Sequence, residues 1–317
     1  MEIVTAEGLR RRFGRTQALD GLDLAVPAGT VFGLLGPNGA GKTTAVRALA
    51  TLTALDGGRA TVAGFDVARR PAEVRRRIRL TGQHAALDET LTGRENLYLF
   101  GRLFHLGRAD ARRRATELLE RFDLAAAADR PVRTYSGGMR RRLDLISSLI
   151  VPPAVLFLDE PTTGLDPRSR NEIWDTIREL VTQGATVLLT TQYLEEADRL
   201  AQHIAVVDHG RVIASGSPGE LKAALGGRID VVVRTATDLG TAGGALNAMT
   251  GATPEIDRDR LRLSVPFSAQ STTLPGVVRG LETAGVEPVD VAVRLPSLDE
   301  VFLTLTGEPG RTPEAVR

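Results

Sequence analysis

The chain has 317 residues, 42% hydrophobic and 25% charged, enough apolar material for a sizeable core and, by length, for about two domains. A formal net charge of +1 leaves no overall field that would recruit nucleic acid or an anionic membrane, so no nucleic-acid partner is expected. The lack of any cysteine excludes disulfides, thiolate catalysis and cysteine zinc sites, which fits a reducing cytoplasm.

Met1-Glu2-Ile3-Val4-Thr5-Ala6-Glu7 lacks the basic region and apolar core of a signal peptide and reads as a first strand. Residues 1–35 alternate apolar and polar positions around turn signals such as Gly14 and Ala28-Gly29, predicting short antiparallel strands. Among them Phe13 follows Arg11-Arg12, and two readings stay open: a core aromatic, or a ring that stacks on a purine. The uncharged stretches 24–41 and 145–158 are broken by glycine or proline, so no transmembrane helix is expected and any membrane part must come from another chain.

The apolar run Thr30-Val31-Phe32-Gly33-Leu34-Leu35 leads into Gly36-Pro37-Asn38-Gly39-Ala40-Gly41-Lys42-Thr43-Thr44, which fits G-x-x-x-x-G-K-S/T and opens a helical pattern. Strand, glycine loop and helix stand in the order a phosphate cradle requires. The loop amides and helix start can face phosphate oxygens, Lys42 can reach the β- and γ-phosphates, and Thr43 can hold Mg²⁺. Lysine occurs only here and at Lys222, arginine having taken every other cationic position. That pattern points to a site needing a compact ammonium rather than a planar fork.

Further on, 57–64 and 78–83 read as strands returning to the same sheet, with Gln83 at a strand end where α/β sheets place ligands. From residue 90 to about 148 the pattern is helical, as an insertion into the sheet domain. At its end stands Tyr135-Ser136-Gly137-Gly138-Met139, read locally either as a helix start capped by Ser136 or as a second anion-binding turn. Ala154-Val155-Leu156-Phe157-Leu158-Asp159-Glu160 then reads as a strand buried on both faces. Two carboxylates at its tip are costly unless they serve a metal or a reaction; otherwise they are exposed turn acids. Asp159 is placed to hold Mg²⁺ and Glu160 to orient or deprotonate water. The turn-rich 161–167 starts another helix, and Ala185-Thr186-Val187-Leu188-Leu189-Thr190-Thr191-Gln192 is one more buried strand with a polar tip.

Together these motifs resemble the ATP-binding subunits of ABC transporters over residues 1–220. The stretches 135–145 and 191–197, with Leu298-Asp299-Glu300-Val301-Phe302-Leu303, look like the daunorubicin/doxorubicin-resistance branch, which exports drugs. The resemblance implies an α/β P-loop NTPase core with an antiparallel β subdomain and a helical insertion at about 84–150. It also implies a head-to-tail homodimer holding two ATP molecules, in which the phosphate loop and Asp159-Glu160 of one chain face Ser136-Gly137-Gly138 of the other. Phe13 becomes the adenine-stacking residue, Gln83 a Mg²⁺ and water contact linked to the membrane partner, and Asp166 an interface residue. The chain would then sit on the cytoplasmic face of the membrane, bound to a separate polytopic permease that it drives with ATP. Two positions depart from the family: Gln192 stands where histidine is usual, and Met139 where glutamine is usual. An amide at 192 can still donate to a γ-phosphate but takes up no proton near neutral pH, which leaves Glu160 as the acid/base group.

From about residue 221 the composition shifts, and strands near 229–233, 260–265 and 290–293 alternate with helical patterns near 240–249 and 273–284. A small α/β domain at 221–306, regulatory or supporting the dimer, is expected there, followed by a frayed tail at 307–317. Two competing classes are a soluble ABC ATPase acting on DNA or ribosomes and a small-molecule kinase. The absence of a long heptad region and of a basic excess argues against the first, and the family's signature turn, Ser136-Gly137-Gly138, with Asp159-Glu160 against the second.

Overall fold

The computed structural model describes residues 1–82, 86–267, 273–294 and 296–306. They belong to two compact units, Met1–Ser217 and Pro218–Arg317. In the first, β1 (Glu2–Phe13) and β2 (Thr16–Pro27) make an antiparallel hairpin, longer than the short strands expected. β3 (Val31–Leu35) runs into α1 (Lys42–Leu49), after which β4 (Gly57–Val62) and β5 (Phe65–Asp66) return to the hairpin in the order β2-β1-β4-β5. Residues 57–62 therefore do not rejoin the phosphate-loop sheet as expected. The reason lies in Gly58, at φ +82°, where an added Cβ would stand 2.4 Å from the Gly8 carbonyl oxygen. Only glycine lets the chain lie that close to β1.

The chain continues through α2 (Pro71–Arg77) and β6 (Ile78–Thr81) into the helical insertion of α3 (Gly93–Leu103), α4 (Arg108–Arg121) and α5 (Gly137–Ser147). Thr92 and Glu95 form a reciprocal capping box that fixes where α3 begins. Then follow β7 (Val155–Asp159), α6 (Pro167–Thr182), β8 (Thr186–Thr191), α7 (Leu194–Leu200), β9 (His203–Asp208) and β10 (Arg211–Gly216). The second sheet has the order β10-β9-β3-β8-β7-β6 and is parallel except at β10. Every residue of β3, β7 and β8 is buried, as continuous apolar runs demand of strands covered on both faces. Val46 and Leu49 of α1 share one core with Leu9 and Leu22 of the hairpin and with Leu34, Phe157 and Leu188 of the parallel sheet. The helix that follows the phosphate loop is thereby locked in place. Among the described residues no helix is long and apolar enough to cross a membrane.

The second unit comprises α8 (Pro218–Ala224), β11 (Gly227–Val232), α9 (Asp238–Thr250), β12 (Glu255–Asp257), β13 (Arg262–Phe267), α10 (Leu274–Thr283), β14 (Asp290–Arg294) and α11 (Leu298–Thr306). It starts at α8, so a boundary drawn at 220/221 would cut a helix. Its antiparallel sheet, β12-β13-β11-β14, shares a core with α9 and α10 through Ile229, Val231, Leu246, Val265, Val277 and Leu281. Arg294 donates from Nη1 and Nη2 to the two carboxylate oxygens of Glu300, at 2.8 and 3.0 Å, and the Ser297 amide donates to the same carboxylate at 2.7 Å. The Arg294 hydrogen bonds above all hold Glu300 down from its ordinary 4.5 to about 2. A carboxylate with a depressed folded-state pKa stabilises above its unfolded value and loses that contribution as pH falls through the folded one. The melting-temperature deficit of Glu300→Gln is therefore expected to be full at pH 6 and to shrink between pH 4.5 and about 2. A deficit constant across that range, followed by calorimetry, would show that Glu300 acts only through packing.

Candidate functional site

Three adjacent strand ends build the site. Register pairs Leu35 of β3 with Thr191 of β8, and Thr190 of β8 with Asp159 of β7. The phosphate loop, Gln192 and the Asp159-Glu160 pair therefore leave one edge of the parallel sheet side by side, where α/β folds place their ligands.

The phosphate loop can only be built from glycine at its two ends. A Cβ on Gly36 would stand 2.3 Å from the Val207 carbonyl oxygen, and one on Gly41, at φ +107°, 2.4 Å from that of Ala18. Gly41 also caps α1 without a side-chain bond, leaving the cap to a ligand or water. Lys42 is only 4% exposed and donates from Nζ to the carbonyls of Gly36 at 2.6 Å and Pro37 at 3.0 Å. Burial pulls its ammonium below the ordinary lysine value, while Glu160 and Asp159 pull it back up. Pro37, Asn38, Gly39, Ala40 and Thr44 complete the turn, with Gly39 at φ +83°.

Asp159 is buried, and its Oδ1 accepts from Thr190 Oγ1 at 2.6 Å and Thr43 Oγ1 at 3.1 Å. A carboxylate and a hydroxyl beside a phosphate cradle are hard oxygen donors suited to Mg²⁺, which keeps few protein ligands and takes the rest from phosphate and water. No group of three or more His, Cys, Asp and Glu able to hold a metal exists among the described residues. Glu160 holds a left-handed backbone at φ +51°, a conformation that costs a non-glycine residue about 1–3 kcal/mol and gathers at functional positions. Its amide donates to Thr190 O and Oγ1, both at 3.1 Å, and Thr163 Oγ1 donates to Oε2 at 3.2 Å. The partly exposed carboxylate is thus steadied on one oxygen.

The other expected residues fall as follows. Phe13 is 48% exposed at the end of β1, with the Arg11 guanidinium 4.7 Å from its ring, which excludes the core reading. Gln192 is half-buried, directly after β8. Gln83 lies outside the described residues. Ser136 caps α5, its Oγ accepting from the Met139 amide at 3.2 Å, while Ser136 and Gly137 stay exposed. Gly138 is buried; a Cβ there would meet Ser169 Oγ at 2.4 Å. Ser169 in turn donates from its amide and hydroxyl to Asp166, at 3.0 and 2.7 Å, so the signature turn and the Asp166 cap pack together. The signature turn and the phosphate loop share no bond in the described chain.

Two features escaped the sequence reading. Glu196 is fully buried on α7, and its Oε1 accepts from Thr162 Oγ1 at 2.8 Å and Trp174 Nε1 at 3.0 Å. Burial pushes its carboxyl upward. On α5, Asp144 is buried and Arg141 largely enclosed, with only 5% and 11% of their side chains exposed. Their i, i+3 spacing was the one signal of a pair.

Comparison with known proteins decides the family. A family profile described as ABC transporter matches residues 19–163. Daunorubicin resistance ATP-binding protein DrrA2 of Streptomyces coeruleorubidus is 60% identical over 98% of this chain and 97% of its own length. The chain belongs to the ATP-binding subunits of ABC transporters. Daunorubicin/doxorubicin resistance ATP-binding protein DrrA of Streptomyces peucetius is 52% identical over 96% of this chain and 93% of its own. Among solved structures, the ADP conformation of an ATP-binding cassette of an ABC transporter matches with TM-score 0.64 and 29% identity, over 69% of this chain and 92% of that one. This ABC subunit is accordingly an ATP hydrolase on the P-loop NTPase fold.

Proposed function

We propose that this ABC subunit is the motor of an exporter that expels a hydrophobic drug or antibiotic through a separate polytopic permease. The observation that carries the reading is near-full-length identity of 60% to a protein named for daunorubicin resistance, joined to an intact phosphate cradle and carboxylate pair. The subunit binds at the cytoplasmic face of the membrane through the permease, which supplies the membrane spans; none of the helices among the described residues is long and apolar enough to be one.

Two copies pair head to tail, each lending Ser136, Gly137 and Gly138 to the ATP held by the other. The exposure of Ser136 and Gly137, away from any bond to their own phosphate loop, supports this arrangement. Asp166 lies in the same interface, next to the signature turn through Ser169. Phe13 stacks on adenine, the amides from Gly36 to Thr44 cradle the phosphates, and Lys42 exchanges its two carbonyls for β- and γ-phosphate oxygens. Thr43 and Asp159 would hold Mg²⁺, with Gln83 as a further contact toward ion, water and permease. When bound, that ion neutralises charge building up on the phosphates. Glu160 takes the proton from the attacking water, and the Gln192 amide donates to the γ-phosphate. ATP closes the pair and hydrolysis reopens it, a two-state cycle that rocks the permease.

The test is transport. Inverted vesicles containing this subunit and its permease are expected to accumulate a fluorescent anthracycline only with Mg²⁺ and ATP, and not with the Glu160→Gln variant. ATP-independent accumulation, or none with a permease that co-purifies and stimulates turnover, would remove drug export from the assignment.

A further inference from the structure

Arg141 reaches three backbone carbonyls from two distant segments. Its Nε donates to Pro161 O at 2.8 Å, Nη1 to Gly82 O at 2.6 Å and Nη2 to Glu160 O at 3.4 Å. Asp144, one turn along the same helix, stands 3.5 Å from Nη1 and accepts the Ala86 amide on Oδ1 at 3.0 Å. The two side chains therefore grip Gly82 and Ala86, and one of them also holds the backbone of Glu160 and Pro161. Asp144 is buried and Arg141 largely enclosed, and burial opposes both charges: it draws the Arg141 guanidinium down and the Asp144 carboxyl up, while each attracts the other. A buried ion pair is poor value for stability alone, since apolar residues of like volume do as well. What an arginine fork offers instead is direction: several donors in one rigid plane.

We propose that Arg141, seated by Asp144, is a positioning residue for ATP hydrolysis, fixing the Glu160 backbone, and with it the carboxylate, in place relative to Gly82 and the signature helix. The proposal rests on the reading of Glu160 as the group that takes the proton. The left-handed φ of Glu160 gives the fork something to do: a conformation that is costly by itself persists only where its surroundings hold it, and two of the three carbonyls that Arg141 binds, those of Glu160 and Pro161, flank the strained turn. Arg141 directs its donors to backbone carbonyls, so it acts through Glu160. Because α5 begins at the turn that serves the partner's ATP, the same helix carries the contact to one site and the brace for the other.

The experiment measures turnover and nucleotide affinity separately, on full-length Arg141→Lys and on the double variant Arg141→Gln with Asp144→Asn. Lysine keeps the charge opposite Asp144 but lacks the fork, whereas the double variant leaves no unpaired buried charge. Both are expected to fold and to bind a fluorescent ATP analogue within about threefold of the native protein, while kcat falls about 10- to 100-fold, as small misplacements of a reacting group do. Turnover within twofold of native in a folded variant would overturn the positioning role. So would affinity falling in step with kcat, or failure of both variants to fold, since either assigns the cluster to binding or to stability. Near-native turnover in Glu160→Gln would instead remove the reading of Glu160, so the two failures are distinguishable.

Discussion

Glu160→Gln is expected to lower ATP turnover by about 10²- to 10⁴-fold, the range for losing a general base, while leaving nucleotide affinity nearly unchanged. The amide keeps the size of the side chain and can still accept from Thr163 Oγ1, and the backbone bonds to Thr190 are untouched. What is lost is the capacity to take a proton. Gln192, beside the phosphate loop, carries a group that does not titrate near neutral pH and so does not replace it. The loss should therefore fall on kcat and not on KM, which steady-state rates and equilibrium binding separate. The same variant tests the paired site. Gly137 is exposed with open space around its Cβ position, so Gly137→Asp should fold, yet it sets a carboxylate where the partner's γ-phosphate would approach. Each variant alone should be inactive. Mixed, they should partly recover, because one of the two sites in a mixed pair draws Glu160 from one chain and an intact signature turn from the other. No recovery on mixing would place the signature turn and Glu160 in service of a single chain.

How much of this was legible in the sequence depended on how local each signal is. The phosphate loop, the strand ending in Asp159 and the strand ending before Gln192 are each written in a contiguous run, and register alone then brings them together. The sheet chosen by residues 57–62 was not legible, since strand pattern does not name a partner; the contact of Gly58 with Gly8 does. Phe13 stayed open because an aromatic beside arginines fits core and surface alike, and exposure decides it. Ser136 illustrates the converse: the cap is present in the single chain, while the anion-binding reading belongs to the proposed pair. Arg141 was least legible. In a run of three arginines on one helix it looks like a solvated face, yet its partners lie 20 and 59 residues away in the chain. Glu196 hides in the same way beside the exposed Glu195, and only Trp174 and Thr162 show that it is inside.

Lys42→Met is expected to weaken ATP binding severely while leaving the nucleotide-free fold nearly as stable. Two effects compete in the free protein. Removing the ammonium leaves the buried Gly36 carbonyl without its donor, at about 1–3 kcal/mol for an orphaned acceptor, whereas the exposed Pro37 carbonyl keeps the Ala40 amide at 3.2 Å. It also removes a buried charge whose desolvation is evident in its lowered pKa, which offsets that loss, though Asp159 and Glu160 then lose a counter-charge. The remainder should be a few degrees of melting temperature in either direction. With ATP nothing offsets the loss: the charge-assisted contact to the β- and γ-phosphates disappears, at about 2–5 kcal/mol for truncating one partner of a buried charged pair. Ligand stabilisation follows the logarithm of concentration over Kd, so a shift of that size removes most of the ATP-induced rise in melting temperature. A thermal-shift titration with Mg²⁺ and ATP reads both numbers from one experiment. A variant that melts normally without nucleotide and still rises with ATP as the native chain does would mean that Lys42 serves the loop's own carbonyls and not the phosphates. The reverse, a variant that fails to fold, would mean that the ammonium is first a structural bolt for the glycine turn and only second a ligand for ATP.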